Sequence, residues 1–274
     1  MKNVLAVLNR ETTAQAVLAV TRLVAARVAA EGITVMHPRL TQDPSFMPTE
    51  EVMTDERLRH FDRSSGELAA ALRQAFHAWQ ASCSEGKCAR WVEVIGDAAK
   101  SVGAEATQAD LIVVGHVLQD DQEDARKALR AALYDAAAPV IVAPIQPPRT
   151  VGEHVAVAWE PSRAVEEAIR AALPLLTEAG QVTIMIGREG GREPTSQPSA
   201  LIQTLDQETV PHEVVPFNLG GRDIGEALLA EAKKAGADLL VMGAYTHNRL
   251  VEAILGGATQ ELLAHADIAL LMHH

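Results

Sequence analysis

The chain repeats itself once, and this restricts its folds more than any other feature, because whatever the first half builds the second must build again. ADLIVVG at 109–115 returns as ADLLVMG at 237–243, an offset of 128. PVIVA at 139–143 matches DIALL at 267–271 at the same offset, which implies that nothing is inserted between the two landmarks. Earlier, ITVM at 33–36 matches VTIM at 182–185 at offset 149, and VLAVL at 4–8 matches VAVAW at 155–159 at offset 151. The shrinking offset places the extra residues of the first half between about 37 and 96, a stretch that includes a polar, proline-containing loop from His37 and Pro38 to about Asp62. Residues 144–150 contain Pro144, Pro147 and Pro148, which stop a strand and favour extended backbone, so they read as a linker. Two domains follow, at 1–147 and 150–274.

Within each half, short Val/Ile/Leu runs alternate with helical patterns. After the apolar run 155–159, Val165, Ile169, Leu173 and Leu176 share one helical face while Arg163, Glu167, Arg170 and Glu178 lie opposite. Val17, Val20, Val24 and Val28 form the same inner stripe in the first half. Strands apolar on both faces, separated by amphipathic helices, indicate a parallel sheet covered on both sides. The expected class is α/β, with two tandem doubly wound domains of five parallel strands each. In such sheets ligands bind beyond the carboxyl ends of the strands, where strand order reverses. The residues after the first and fourth strands therefore matter most.

A formal net charge of -12 repels phosphate backbones and anionic membranes, and no basic cluster offsets it, so neither nucleic acid nor membrane is an expected partner. The apolar run near Met1 is too short for a signal-peptide core, and no run reaches the ~18 apolar residues of a membrane span, which points to the cytoplasm. Cys83 and Cys88 have neither redox-motif nor zinc-knuckle spacing and read as free thiols.

The run from Gly243 to Thr259 after the fourth strand of the second half is where chemistry can sit. Gly243 lets the chain turn off the strand, and Gly256 and Gly257 expose backbone N–H groups just before the helix expected from Ala258 onward. Unsatisfied donors at the positive end of a helix dipole favour a phosphate. Arg249 adds a cation, Thr259 a hydroxyl, and His247 an imidazole able to hydrogen-bond a phosphate or stand as a surface histidine. Tyr245 reads as packing beneath the loop.

On these residues the chain resembles a tandem member of the universal stress protein (UspA-like) family. Nucleotide-binding members carry glycine, two residues, glycine, nine residues, glycine and then Ser or Thr after strand four. Gly243 and Gly256 match the first and third glycines; Thr246 stands at the second and Gly257 at the Ser/Thr position. Glu160 falls where the family's strand-one Asp recognises adenine. The resemblance implies Rossmann-like domains of the adenine nucleotide alpha hydrolase type, last strands (139–143 and 267–272) that pair into an intramolecular pseudo-dimer, and an ATP-type ligand on Glu160, Gly243, Thr246, His247, Arg249, Gly256, Gly257, Ala258 and Thr259. A side chain at 246, however, stands where the family's backbone approaches its nucleotide.

The first half lacks this loop. The same offset puts Ala128 and Leu129 where the glycine pair lies, Leu118 where Thr246 lies and Asn9 where Glu160 lies, and residues 119–124 are acidic and repel a triphosphate. No P-loop, nucleophile elbow or zinc-protease helix occurs. His212 and Glu213 read as an exposed polar pair, and His273 with His274 as a solvated terminus. No catalytic or metal-binding residue is therefore assigned, and slow ATP hydrolysis is the least supported reading. Two readings stay open: a cytoplasmic stress protein whose second domain binds ATP or a related adenine nucleotide as a regulatory ligand, and an interaction module that binds none. Further self-association of the chain is left open.

Overall fold

A computed structural model describes residues 1–43, 54–82, 89–117, 123–188, 197–244, 263 and 265–273. The first half runs β1 (Asn3–Val7), α1 (Glu11–Arg27), β2 (Gly32–Arg39), α2 (Asp55–Ala81), β3 (Ala89–Ile95), α3 (Ala98–Ala106), β4 (Leu111–Val114), α4 (Glu123–Arg130) with a π-helical turn at Ala131–Asp135, and β5 (Val140–Val142). The second runs β6 (His154–Trp159), α5 (Arg163–Leu176), β7 (Gln181–Arg188), α6 (Ser199–Gln207), β8 (His212–Asn218), α7 (Ile224–Ala235), β9 (Leu239–Gly243) and β10 (Ala269–His273). The expected α/β class and parallel doubly wound order hold in both halves. Among the described residues no helix is long and apolar enough to cross a membrane.

All ten strands form one sheet in the order β3-β2-β1-β4-β5-β10-β9-β6-β7-β8. Strands are parallel within each half, whereas β5 and β10 are antiparallel, with Leu271 opposite Ile141 and Leu270 and Met272 opposite Val142 and Val140. Ile141 and Leu271 are fully buried, as are their neighbours along both strands. The carboxyl ends of β1 and β4 consequently face one end of the sheet and those of β6 and β9 the other. Successive residues of each strand feed opposite cores: Val4, Ala6 and Leu8 pack under α1 and α2, while Leu5 and Val7 pack with α3 and α4.

Strand registers confirm the repeat and correct it at one point. Val4 is level with Ile33 and Leu111, as Val155 is with Val182 and Leu239, which preserves the offsets 151, 149 and 128. In the last strands, however, Ile112 is level with Val140 and Leu240 with Leu270, so β5 and β10 are related by an offset of 130 rather than 128. Two additional residues therefore lie between β9 and β10. A slip of two leaves every side chain on its own face of a strand, so an apolar run cannot reveal it. With this offset Ile141 and Leu271 become equivalent, and the approximate two-fold axis passes between them.

The extra residues of the first half are more ordered than a loop reading implies. β2 continues through His37 and Pro38 to Arg39, and Pro38 is tolerated because β1 pairs with β2 only as far as Met36, so no ladder donor is missed. α2 begins at Asp55, where Thr54 accepts a hydrogen bond from the Arg57 amide at 3.2 Å.

Two further contacts tie the halves and their strands together. Arg27, at the end of α1, donates to the carbonyls of Val151 (3.1 Å) and Glu178 (2.5 Å) and pairs with Glu153. Gly152 has φ +82 and an added Cβ there would lie 3.0 Å from Arg27 Cδ, so both conformation and space call for glycine. At the amino ends of the sheet, Asp110 accepts from the amides of Lys2 (2.7 Å) and Asn3 (2.9 Å), and its repeat equivalent Asp238 accepts from those of Gly152, Glu153 and His154.

The backbone bonds from Asn3 and Lys2 hold the Asp110 carboxyl below the ordinary aspartate range. A lowered value means that the stabilisation is present above that range and is lost as pH falls through it. Asp110→Ala should therefore cost roughly 1 kcal/mol at pH 7, with the difference from the parent shrinking below about pH 4. Urea unfolding at the two pH values measures this; an undiminished difference at low pH contradicts it.

Candidate functional site

In a sheet of this order the crevice lies between the exits of the central strand pair, β1 with β4 and β6 with β9. In the second half, β6 ends at Trp159 and the chain passes through Glu160 and Pro161 to Ser162, which caps α5. The Ser162 hydroxyl accepts from the Val165 amide at 3.3 Å, and its own amide donates to the Glu160 carbonyl at 2.8 Å. Glu160 is half-buried at the crevice edge, and the Trp159 Nε1 beside it is buried with no partner among the described residues.

Across the crevice β9 ends at Gly243, fully buried against the start of α5. An added Cβ would lie 2.8 Å from the Val165 amide nitrogen and 2.9 Å from the Ala164 carbonyl carbon. Gly243 is not in the left-handed region, so its requirement is space rather than the sharp turn expected from sequence. Gly115 repeats this in the first half, where an added Cβ would lie 2.6 Å from Thr13 Oγ1. The first glycine of the motif thus fixes how closely β4 or β9 approaches the helix after the neighbouring strand.

Glu160 and Gly243 stand at the exits of the neighbouring strands β6 and β9. Tyr245, Thr246, His247, Arg249, Gly256, Gly257, Ala258 and Thr259 lie outside the described residues, as do Cys83, Cys88 and His274. Whichever offset is applied, the first half has no glycine pair at the equivalent place: 126–129 are Arg, Lys, Ala and Leu.

Two residues not singled out for this crevice lie at its second-half end. Arg163, the first residue of α5, is largely exposed and donates to Glu167 at 2.8 Å; this bond holds the Glu167 carboxyl below its ordinary range and raises the Arg163 guanidinium. His273 is the last residue of β10, level with Gly243, and its ring lies 3.3 Å from the Ala137 carbonyl of the first half. It is part of the sheet rather than a solvated terminus. The strand expected from sequence ends at 272, one residue short of it.

The first-half crevice differs in its side chains. Registers make Arg10 equivalent to Pro161, Asn9 to Glu160, His37 to Ile186 and His116 to Ala244. Arg10 donates through Nη2 to the His116 carbonyl, joining the two strand exits. His116 is 1% exposed and His37 3%, and His37 Nδ1 donates to the Leu8 carbonyl at 2.8 Å while its ring stacks on Trp91. The Asn9 Oδ1 is buried with no partner among the described residues. No group of three or more metal-ligating side chains occurs among the described residues.

Residues 116–274, more than half of the chain, match the model of the universal stress protein family. No curated protein matches the chain. Its fold is similar to that of a universal stress protein from Archaeoglobus fulgidus DSM 4304, at 16% identity and a TM-score of 0.69, with 99% of this chain and 95% of that one covered. A putative universal stress protein from Pseudomonas aeruginosa UCBPP-PA14 is similar over 100% and 93% of the two chains, at 16% identity and a TM-score of 0.59. At these identities the likeness is one of fold.

Gly243→Ala should destabilise the protein by about 2 kcal/mol or more, because the new methyl meets backbone that cannot move aside. Gly103→Ala, in α3 with nothing nearer than 4.0 Å, should be neutral or stabilising. Denaturant titration of both variants checks this; equal effects would show that close packing is not what Gly243 supplies.

Proposed function

This chain belongs to the universal stress protein family, and on that premise we propose that it is a cytoplasmic stress-response protein whose second half binds an adenine nucleotide of the ATP type as a regulatory ligand. The observation that carries the reading is the difference between the residues at the two sets of strand exits. At the second-half exits stand Glu160, Pro161 and Ala244, with the Trp159 Nε1 buried and without a partner among the described residues. At the first-half exits stand Asn9, Arg10 and His116, and Arg10 donates to the His116 carbonyl. The glycine pair at 256 and 257 supports the same half, since backbone donors before a helix suit a phosphate. Glu160 is suited to accept from an exocyclic amine, and Trp159, its neighbour in the chain, is the chosen reporter of occupancy.

Titration calorimetry with ATP on the full chain should find one site per chain, accompanied by a change in tryptophan fluorescence that Trp159→Phe reduces. Gly256→Val removes charge-assisted backbone bonds worth roughly 1.5–3 kcal/mol each and should weaken binding about tenfold or more. Thr246→Gly restores a glycine on the approach path and should tighten it. Two equivalent sites would contradict the asymmetry. Absence of binding in both the parent and Thr246→Gly would favour the interaction module.

A further inference from the structure

The amino ends of β1, β2 and β3 meet the carboxyl end of α3 around a cavity of about 390 Å³, within the ~300–1,000 Å³ range of small-ligand clefts. Strand register puts its polar groups on one face of the sheet. Leu5, Thr34 and Arg90 are level across the three strands, and Asn3 is level with Gly32 two residues nearer the strand ends. Facing them are Glu105, in the last turn of α3, and Gln108 just beyond it. Arg90 donates through Nε to the Thr34 hydroxyl at 2.9 Å and through Nη2 to Glu105 at 3.3 Å, so a positive and a negative group stand side by side in the wall. With side chains 58% and 24% exposed, such a pair contributes little to folding.

The second half shows what this space can hold. Registers make His154 equivalent to Asn3, Thr183 to Thr34, Glu213 to Arg90 and Gly236 to Gln108. There the His154 ring spans the equivalent positions. Its Nε2 lies 2.9 Å from the Thr183 hydroxyl, which donates to Glu213 at 3.2 Å, and its Nδ1 lies 3.9 Å from where a Cβ on Gly236 would stand. In the first half the shorter Asn3 leaves the Thr34 hydroxyl to Arg90, and Gly32 makes room for the Asn3 amide, since an added Cβ would lie 3.0 Å from its Oδ1. One half supplies a polar ring of its own where the other keeps a cavity.

We propose that the first-half cavity binds a free α-amino acid by its zwitterionic head, with the carboxylate on the Arg90 guanidinium and the ammonium on the Glu105 carboxylate. The wall carries one charge of each sign at hydrogen-bond separation, and an α-amino acid presents the opposite two across a single carbon. Both pairs then form at once and no net charge is buried. An anion or a cation alone would satisfy one wall group and be repelled by the other. The carbonyl end of α3 further favours the ammonium. The Asn3 and Gln108 amides offer uncharged donors and acceptors, while Leu5 and Ala109 give a small side chain apolar contact. This site is independent of the nucleotide reading, which concerns the second half.

Saturation-transfer NMR on the full chain with each proteinogenic amino acid, followed by calorimetry with the one giving the strongest signal, tests this. At least one should bind with a Kd of about 1 mM or tighter. The amine lacking its carboxylate and the acid lacking its ammonium should each bind at least about tenfold more weakly. Arg90→Gln and Glu105→Gln should weaken binding by about tenfold or more, and Asn3→His, which imports the second-half ring, should abolish it. Thermal unfolding confirms that each variant is folded. The proposal is overturned if no amino acid binds at about 10 mM, if either single-charge analogue binds as tightly as the amino acid, or if affinity is unchanged in any folded variant. The parent and the two analogues decide the matter even where a variant does not fold.

Discussion

Everything else in this molecule is arranged around the antiparallel contact between β5 and β10. Each is a short strand that would otherwise form the edge of a five-stranded sheet, with apolar residues on both faces and unpaired backbone groups along one side. Pairing about Ile141 and Leu271 makes both strands internal and merges two sheets into one of ten strands. The edges that remain, β3 and β8, carry Arg90, Glu93 and Pro216, which discourage further pairing. The Arg27 contacts at the ends of α1 and α5 then tie the residues after the linker to the first half.

The antiparallel join also sets what the crevices can do. Because strands run one way in the first half and the other way in the second, the two switch points open at opposite ends of the sheet, and a ligand at one makes no direct contact with the other. Each is free to diverge. Gly115 and Gly243 preserve the approach of strand to helix in both, since that approach is structural. The residues at the strand exits are under no such constraint, and there the halves part: Arg10, His37 and His116 stand against Pro161, Ile186 and Ala244.

Much of this was legible in the sequence, and the unread parts have definite causes. The repeat, the class and the strand-helix order follow from apolar runs whose spacing survives in the registers of β1, β2, β4 and their counterparts. The repeat match of the last strands is out by two residues because a two-residue slip conserves the inside-outside pattern, and His273 lies one residue beyond the strand expected at 267–272. The start of the helix at Asp55–Ala81 is hidden in the sequence because Pro38 and the polar residues after it mask the start signal at Thr54. Gly243 was recognised as necessary, but its reason, contact with the Val165 amide, is a tertiary one that no local pattern contains. Arg10 could have been found by setting it against Pro161 at the offset already in hand. What it reaches, a carbonyl 106 residues away, could not.

The direct measurement of the central claim is amide hydrogen exchange on the full chain, resolved residue by residue along the sheet. If the two halves share one sheet through β5 and β10, amides within 140–142 and 270–272 should be among the slowest, comparable with β4 and β9 and far slower than the edge strands β3 and β8. Exchange at 140–142 and 270–272 as rapid as in β3 and β8 would show that these strands are open edges, and would contradict the account.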